Sequence, residues 1–171
     1  MSDKAADGSE PQGGTVPATA DARLTIHNQY LKDLSFENPS GPARLAELQQ
    51  GPDIKVNIKV DSRPIEGRRH EVELSIDVSA KVKERTAFLI ELSFAGLVSV
   101  GEKVPEEHVE PLLRVEAPRY LFPFARNILA DLTRHGGFPP LLINPIDFTQ
   151  IYVRQQAAAV ADEEPTGPPP T

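Results

Sequence analysis

Four histidines, His27, His70, His108 and His135, and adjacent carboxylates such as Glu106-Glu107 are the side chains of this 171-residue chain best suited to chemistry. A zinc site needs ligands at short, fixed spacings, and none of the histidines has a partner at one of them. The absence of cysteine excludes a disulfide framework and thiolate metal sites. No Gly-x-Gly-x-x-Gly, Walker-type loop or Gly-x-Ser-x-Gly elbow is present. Gly136-Gly137 follows a helical pattern instead of preceding one, so it reads as a helix stop and not a phosphate cradle. His27 and His70 fall on the polar side of alternating segments. His135 ends a helical pattern, where an imidazolium suits the dipole, and Glu106-Glu107 belongs to a charged, exposed stretch. These residues do not form a catalytic set. The expectation is a protein that is not an enzyme and needs no cofactor and no metal.

Two other groupings are suited to binding. Glu71, Glu73 and Asp77 alternate along one side of a segment and share that side with Glu91, while Asp33 and Glu37 have the parity to join them. Such a row is either an ordinary solvated face or a surface for a basic partner. Residues 137–146 read GFPPLLINPI. As a surface loop this stretch would expose Phe138, Leu141, Leu142 and Ile143 as an apolar patch, and the alternative is that it folds down to complete the core.

The elements that must position these groups are strands first and helices last. From 70 to 82 the apolar residues Val72, Leu74, Ile76, Val78, Ala80 and Val82 alternate with polar ones, a period of two with a dry face and a wet face. Residues 53–61 repeat this with Ile54, Val56, Ile58 and Val60, and 86–100 with Phe88, Ile90, Leu92 and Phe94. Residues 24–36 alternate less cleanly, because Lys32-Asp33 breaks the pattern and predicts a bulge or bend. Short, turn-like connections favour antiparallel neighbours, and 43–50 has room for a helical turn. Beyond Gly101 the period becomes helical: 118–135 carries Leu121, Phe124, Ala125, Ile128, Leu129 and Leu132, with Pro123 expected near its first turn. A second helix is announced by Asn144 as N-cap, Pro145 at the first helical position and Asp147 in the first turn. The prediction is an α+β fold with a four-stranded antiparallel sheet and two helices packed on one face. A strand of about 13 residues spans roughly 40 Å, long for such a sheet alone, so spare edges and helix surface point to self-association.

Composition bounds the partners. Eighteen Lys and Arg against 25 Asp and Glu give a formal charge of −7, so a nucleic-acid surface is a poor expectation. The basic cluster Arg68-Arg69-His70 reads as a loop tip. No apolar run approaches the ~20 residues that span a bilayer, and the first residues lack the regions of a signal peptide. A soluble, cytoplasmic protein without stable membrane insertion is expected. Residues 1–22 and 157–171 are poor core formers and read as disordered tails around a domain at 23–156.

The segments YLKDLSFENP (30–39), TAFLIEL (86–92) and YLFPFARNILADLTRHGGFPPLLINPIDF (120–148), in this order, resemble the SecB family of export chaperones. The resemblance covers roughly 24–156. It implies a homotetramer, a dimer of dimers, that binds unfolded preproteins without ATP, keeps them translocation-competent and passes them to the SecA motor. It implies a SecA-binding surface at Asp33, Glu37, Leu89 and Glu91, and a client-binding groove at Phe36, Phe88, Phe138, Leu141 and Ile143. The longer N-terminal segment, the GPPPT ending and the acidic stretch at 101–117 depart from the family pattern. Two other readings remain beside export: a holdase for a dedicated client such as a toxin–antitoxin system, and a small-ligand α+β domain.

Overall fold

The computed structural model describes residues 22–39 and 52–163. The alternating segments form strands β1 (Leu24–Glu37), β2 (Asp53–Glu66), β3 (Arg69–Val82) and β4 (Arg85–Val100). They make one antiparallel sheet in the order β1-β4-β3-β2, so β1 and β2 are its edges. One face is dry: Val72, Leu74, Ile76, Val78 and Ala80 of β3 and Ile90, Leu92 and Val98 of β4 are buried in a single cluster. The break at Lys32-Asp33 is a register shift against β4, with a second shift between Ile26 and Asn28. The β3–β4 turn puts Lys83 (φ 48°) and Glu84 (φ 62°) in the left-handed region, the geometry that matches strand twist in a two-residue hairpin.

The acidic stretch after β4 is helical from Glu106 onward. A 3-10 turn at Glu106–His108 leads into α1 (Val109–Pro111), a π-helical segment (Leu112–Glu116) and α2 (Ala117–His135) as one continuous rod. Its acids face outward while Leu112, Leu113 and Val115 are buried, and the intervening prolines hide that apolar spacing in the sequence. Pro118 accounts for the π segment: its ring would clash with the carbonyl of Arg114 in a tight α-turn, and widening the turn relieves the clash. Pro123, expected near a helix start, lies well inside the rod. It faces solvent, where water can satisfy the carbonyl its missing N–H leaves free.

The inner face of α2 lays Leu121, Ala125 and Leu129, all fully buried, across the dry face of the sheet. The rod stops where the glycines stand. Gly136 donates to the Leu132 carbonyl, Phe138 donates to Thr133, and Gly137 takes φ 84°, a conformation that costs glycine little. The last helix, α3 (Phe148–Glu163), begins later than expected. Its cap is Asp147, whose carboxylate accepts from the backbone N–H of Thr149 (2.9 Å) and Gln150 (3.3 Å), so Asn144 and Pro145 belong to the preceding loop. It runs past Gln156 to Glu163, into the segment that composition assigns to a tail. The helical turn expected at 43–50 and the outer parts of both tails lie outside the described residues.

Candidate functional site

The wet face of the sheet gathers the predicted acidic residues on two adjacent strands. Glu37 pairs with Leu89, Ser35 with Glu91 and Asp33 with Ser93. Asp33, Glu37, Leu89 and Glu91 therefore form one contiguous patch, three exposed carboxylates around a half-buried leucine. Leu89 and Glu91 also line a shallow depression of about 250 Å³ with Asp77, Asn57 and Lys55.

Glu71 and Glu73 share the parity of that patch but not its character. Glu71 is only 4% exposed and is held by Arg63 Nε (2.5 Å), Lys32 Nζ (3.2 Å) and the Tyr30 hydroxyl. Lys32 also pairs with Glu73, which accepts from Ser93 as well. Burial pushes the Glu71 carboxyl up, but the hydrogen bonds from Arg63, Tyr30 and Lys32 outweigh it and hold it down at about 2. Glu73 is lowered for the same kind of reason, its desolvation being overcome by Lys32 and Ser93. The hydrogen bond to Glu73 in turn raises the Lys32 ammonium. The bulge in β1 makes this possible by placing Lys32 on the wet face beside Tyr30. One half of the wet face is thus internally neutralised, and the negative charge left open is concentrated around Asp33, Glu37 and Glu91.

The opposite face carries an apolar groove. Phe36 stacks on Phe88 (centroids 6.2 Å apart) and Phe88 meets Phe138 at 4.8 Å. With Pro52, Ile54, Pro139, Pro140, Leu141 and Leu142, the last two rings line a cavity of about 320 Å³. The loop at 137–146 does both things that its composition allows. Phe138 is buried, Leu141 and Ile143 are half-buried against the core, and Leu142 is 64% exposed. Ile143 packs on the core outside the lining of that cavity. Thr133 fixes the loop: its fully buried hydroxyl accepts from the Leu141 N–H (2.9 Å) while donating back to the helix. Sequence reasoning missed Thr133, Lys32, Arg63 and Tyr30. The broken alternation at Lys32 was the one signal available.

A second groove of about 400 Å³ lies between α3 and β2, lined by Val56, Ile58, Ile146, Ile151, Arg154, Gln155 and Ala158. On the other side of the helix layer Tyr120 and Phe124 are more than half exposed, Phe124 is stacked on Phe94 at 6.4 Å, and Leu31 is exposed nearby. Arg68, in the expected basic tip, is tied to Glu106 (2.6 Å) and the Val104 carbonyl (2.7 Å). Burial, with Arg68 beside it, pushes the His70 imidazole down. The ring of His135 sits 2.7 Å from the Asp131 carbonyl at the helix end. Among the described residues no group of three or more His, Cys, Asp or Glu could hold a metal ion, and no helix is long and apolar enough to cross a membrane.

The family model described as preprotein translocase subunit SecB matches residues 17–159. A protein-export protein SecB from Rhodospirillum rubrum is 45% identical over 144 residues, 84% of this chain and 89% of that one. The protein of the same name from Parvibaculum lavamentivorans is 43% identical, covering 93% of this chain and 94% of its own. Among solved structures, a Mycobacterium tuberculosis SecB-like chaperone in complex with a ChAD peptide from the HigA1 antitoxin superposes with a TM-score of 0.56 at 21% identity. It covers 72% of this chain and 91% of that one, a likeness of fold.

Proposed function

The chain belongs to the SecB family and is a chaperone of protein export, and from that premise we propose how it works: it holds unfolded preproteins in the cytoplasm, without ATP, and hands them to the SecA motor. The observation that carries the holding step is the Phe36–Phe88–Phe138 cluster, continued by Leu141 and the exposed Leu142. Apolar side chains of an unfolded polypeptide gain about 25 cal/mol per Å² buried in such a groove. Ile143 supports the groove from behind. Contacts of this kind read exposed apolar surface and not sequence, so folding of the client competes with holding. No step in holding or release consumes chemical energy in this chain.

Hand-over uses the wet face. Three carboxylates around Leu89 suit a basic, partly apolar peptide of the motor, and the neutralised Glu71–Lys32–Glu73 cluster bounds the patch on one side. The assembled form is a homotetramer, a dimer of dimers, which lets one long client engage several grooves at once. The dedicated-client alternative draws on a likeness of fold at 21% identity, whereas relatives named for protein export are 42–45% identical over most of the chain, so export is preferred.

The test is dilution of a denatured, slow-folding preprotein into nucleotide-free buffer with and without this protein. Suppressed aggregation near one tetramer per client is the expected outcome. A folded preparation that leaves aggregation unchanged overturns the holding step. Replacing Asp33, Glu37 and Glu91 together by Lys is expected to abolish SecA binding while leaving that suppression intact. Docking that survives at moderate ionic strength would move the motor contact elsewhere.

A further inference from the structure

Tyr30 of β1 lies opposite Ala95 of β4 and Asp33 lies opposite Ser93, so Lys32 is an extra residue in the strand. One extra residue exchanges the two faces for everything that follows it. Had the alternation run on from Tyr30, Leu34 and Phe36 would turn to the wet face and Asp33 and Glu37 to the dry one. The bulge resets the phase. It brings Asp33 and Glu37 to the patch around Leu89, and Phe36 to the aromatic cluster. It also puts an ammonium next to a docking carboxylate, because Lys32 and Asp33 emerge on the same face.

That ammonium does not turn to the patch. It crosses β4 and is held by Glu71 (3.2 Å) and Glu73 of β3. Ala95, fully buried between Tyr30 and Glu73 in the ladder, is short enough to be crossed. Glu71 has Arg63 and Tyr30 as further partners. Glu73 has both oxygens engaged, Oε2 by Lys32 and Oε1 by the hydroxyl of Ser93, the residue opposite Asp33. The two groups best placed to neutralise Asp33 are its chain neighbour's ammonium and its cross-strand neighbour's hydroxyl, and both point to Glu73 instead. Among the described residues no ion pair reaches Asp33, Glu37 or Glu91.

We propose that Glu73 is a positioning residue for motor docking: it holds the Lys32 ammonium away from Asp33 and so keeps the docking patch negative. This rests on the hand-over reading above and adds a residue that touches no part of the motor. The bulge that aims Asp33 and Glu37 outward brings a positive charge with it, and Glu73 takes that charge out of the patch. Without Glu73 the ammonium is free to swing back to Asp33, and a basic segment of the motor then meets one carboxylate already paired.

The test is a double-mutant cycle on the full-length protein, with binding of purified SecA measured by calorimetry at low and moderate ionic strength. Glu73→Gln keeps the shape of the side chain and is expected to weaken binding about three- to fivefold, the upper range of an exposed ion pair. Lys32→Gln alone is expected to move the affinity less than twofold, because its charge is already turned away. Lys32→Gln added to Glu73→Gln is expected to restore the parent affinity to within about twofold. The loss in Glu73→Gln should shrink as salt is raised, and suppression of preprotein aggregation by that variant should match the parent. Equal weakening by Glu73→Gln with and without Lys32 would mean that Glu73 acts as a contact or a distant charge, which overturns the proposal. So would equal tightening by Lys32→Gln in both backgrounds, or no effect of Glu73→Gln while replacement of Asp33, Glu37 and Glu91 by Lys still abolishes binding. If that triple replacement leaves SecA binding intact, the hand-over reading itself fails, and the role of Glu73 fails with it.

Discussion

Two carboxylates of the same parity on the same face, Glu71 and Glu91, meet different fates, and the difference is set by single residues around them. Glu91 faces solvent. Glu71 is enclosed by Tyr30, Lys32 and Arg63 and keeps its charge because three donors outweigh the cost of its burial. Its folded carboxyl titrates at about 2 against 4.5 for the free group. The stabilisation is therefore complete above pH 4.5 and is lost as pH falls toward 2. Glu71→Gln is expected to cost about 2 kcal/mol near neutral pH, the scale of a charge-assisted hydrogen bond. In urea titrations the gap between the two proteins should close across that acid window. A gap that persists unchanged at the acid end would show that the cluster works by packing and not by charge. Thr133 makes a second prediction at this scale. Thr133→Val keeps the shape but strands the Leu141 N–H, and is expected to cost about 1–3 kcal/mol and to weaken client binding, because the loop is no longer pinned. Client affinity equal to that of the parent protein would mean that the loop is held by its apolar contacts alone.

At the scale of elements, how much could be read from the sequence depended on whether a residue's role is periodic. The strands were plain because their apolar residues alternate over most of β2, β3 and β4, and the bulge in β1 was plain because Lys32-Asp33 interrupts that alternation. The start of the rod was not plain. Pro105, Pro111 and Pro118 interrupt the apolar spacing, yet Pro105 only precedes the opening 3-10 turn and the π-helical segment accommodates Pro118, with Leu112, Leu113 and Val115 buried along it. The start of α3 was misjudged because Asn144-Pro145 and Asp147 are both credible caps, and geometry chose the one that reaches two backbone donors. The acidic patch could be placed from parity, but its boundary could not, because the groups that enclose Glu71 of β3 come from two other strands, Tyr30 and Lys32 from β1 and Arg63 from β2. The glycine stop was readable, but its second duty was not. A Cβ on Gly136 would lie 2.4 Å from Cζ of Phe36, so the end of α2 is where the aromatic groove closes on the helix. Gly136 has φ −71° and no backbone need for glycine. Gly136→Ala is therefore a steric test: it should cost about 1–3 kcal/mol in unfolding and weaken client binding by displacing Phe36. A neutral substitution would mean that Phe36 swings clear without loss, and that it is not a fixed wall of the groove.

At the scale of the whole molecule, the sheet and its helix layer leave surface that a single chain does not use. Leu31 on the edge strand β1 and Tyr120 and Phe124 on α2 are 47%, 58% and 54% exposed, and Phe124 lies over Phe94 instead of facing water alone. An apolar surface on an edge strand and an adjoining helix is the usual place for a closed symmetric contact. It is also distant in topology from β2, the opposite edge of the sheet, so association through β1 and α2 leaves the β2 edge and its grooves free for client. In the proposed tetramer β1 and α2 form the contact, and the grooves on the other side of the sheet stay open to client. Phe124→Glu separates these roles. The substituted residue is exposed in the single chain, so the fold should survive, while a charge buried without a partner at the contact opposes association. Light scattering is expected to show the tetramer falling to dimer or monomer, with far-ultraviolet circular dichroism unchanged and the affinity for a short peptide near that of the parent. Long clients should lose far more than short ones, because the loss is one of avidity. An unaltered tetramer would place the contact on another face, and an equal loss for short and long clients would mean that the groove itself is built across the interface.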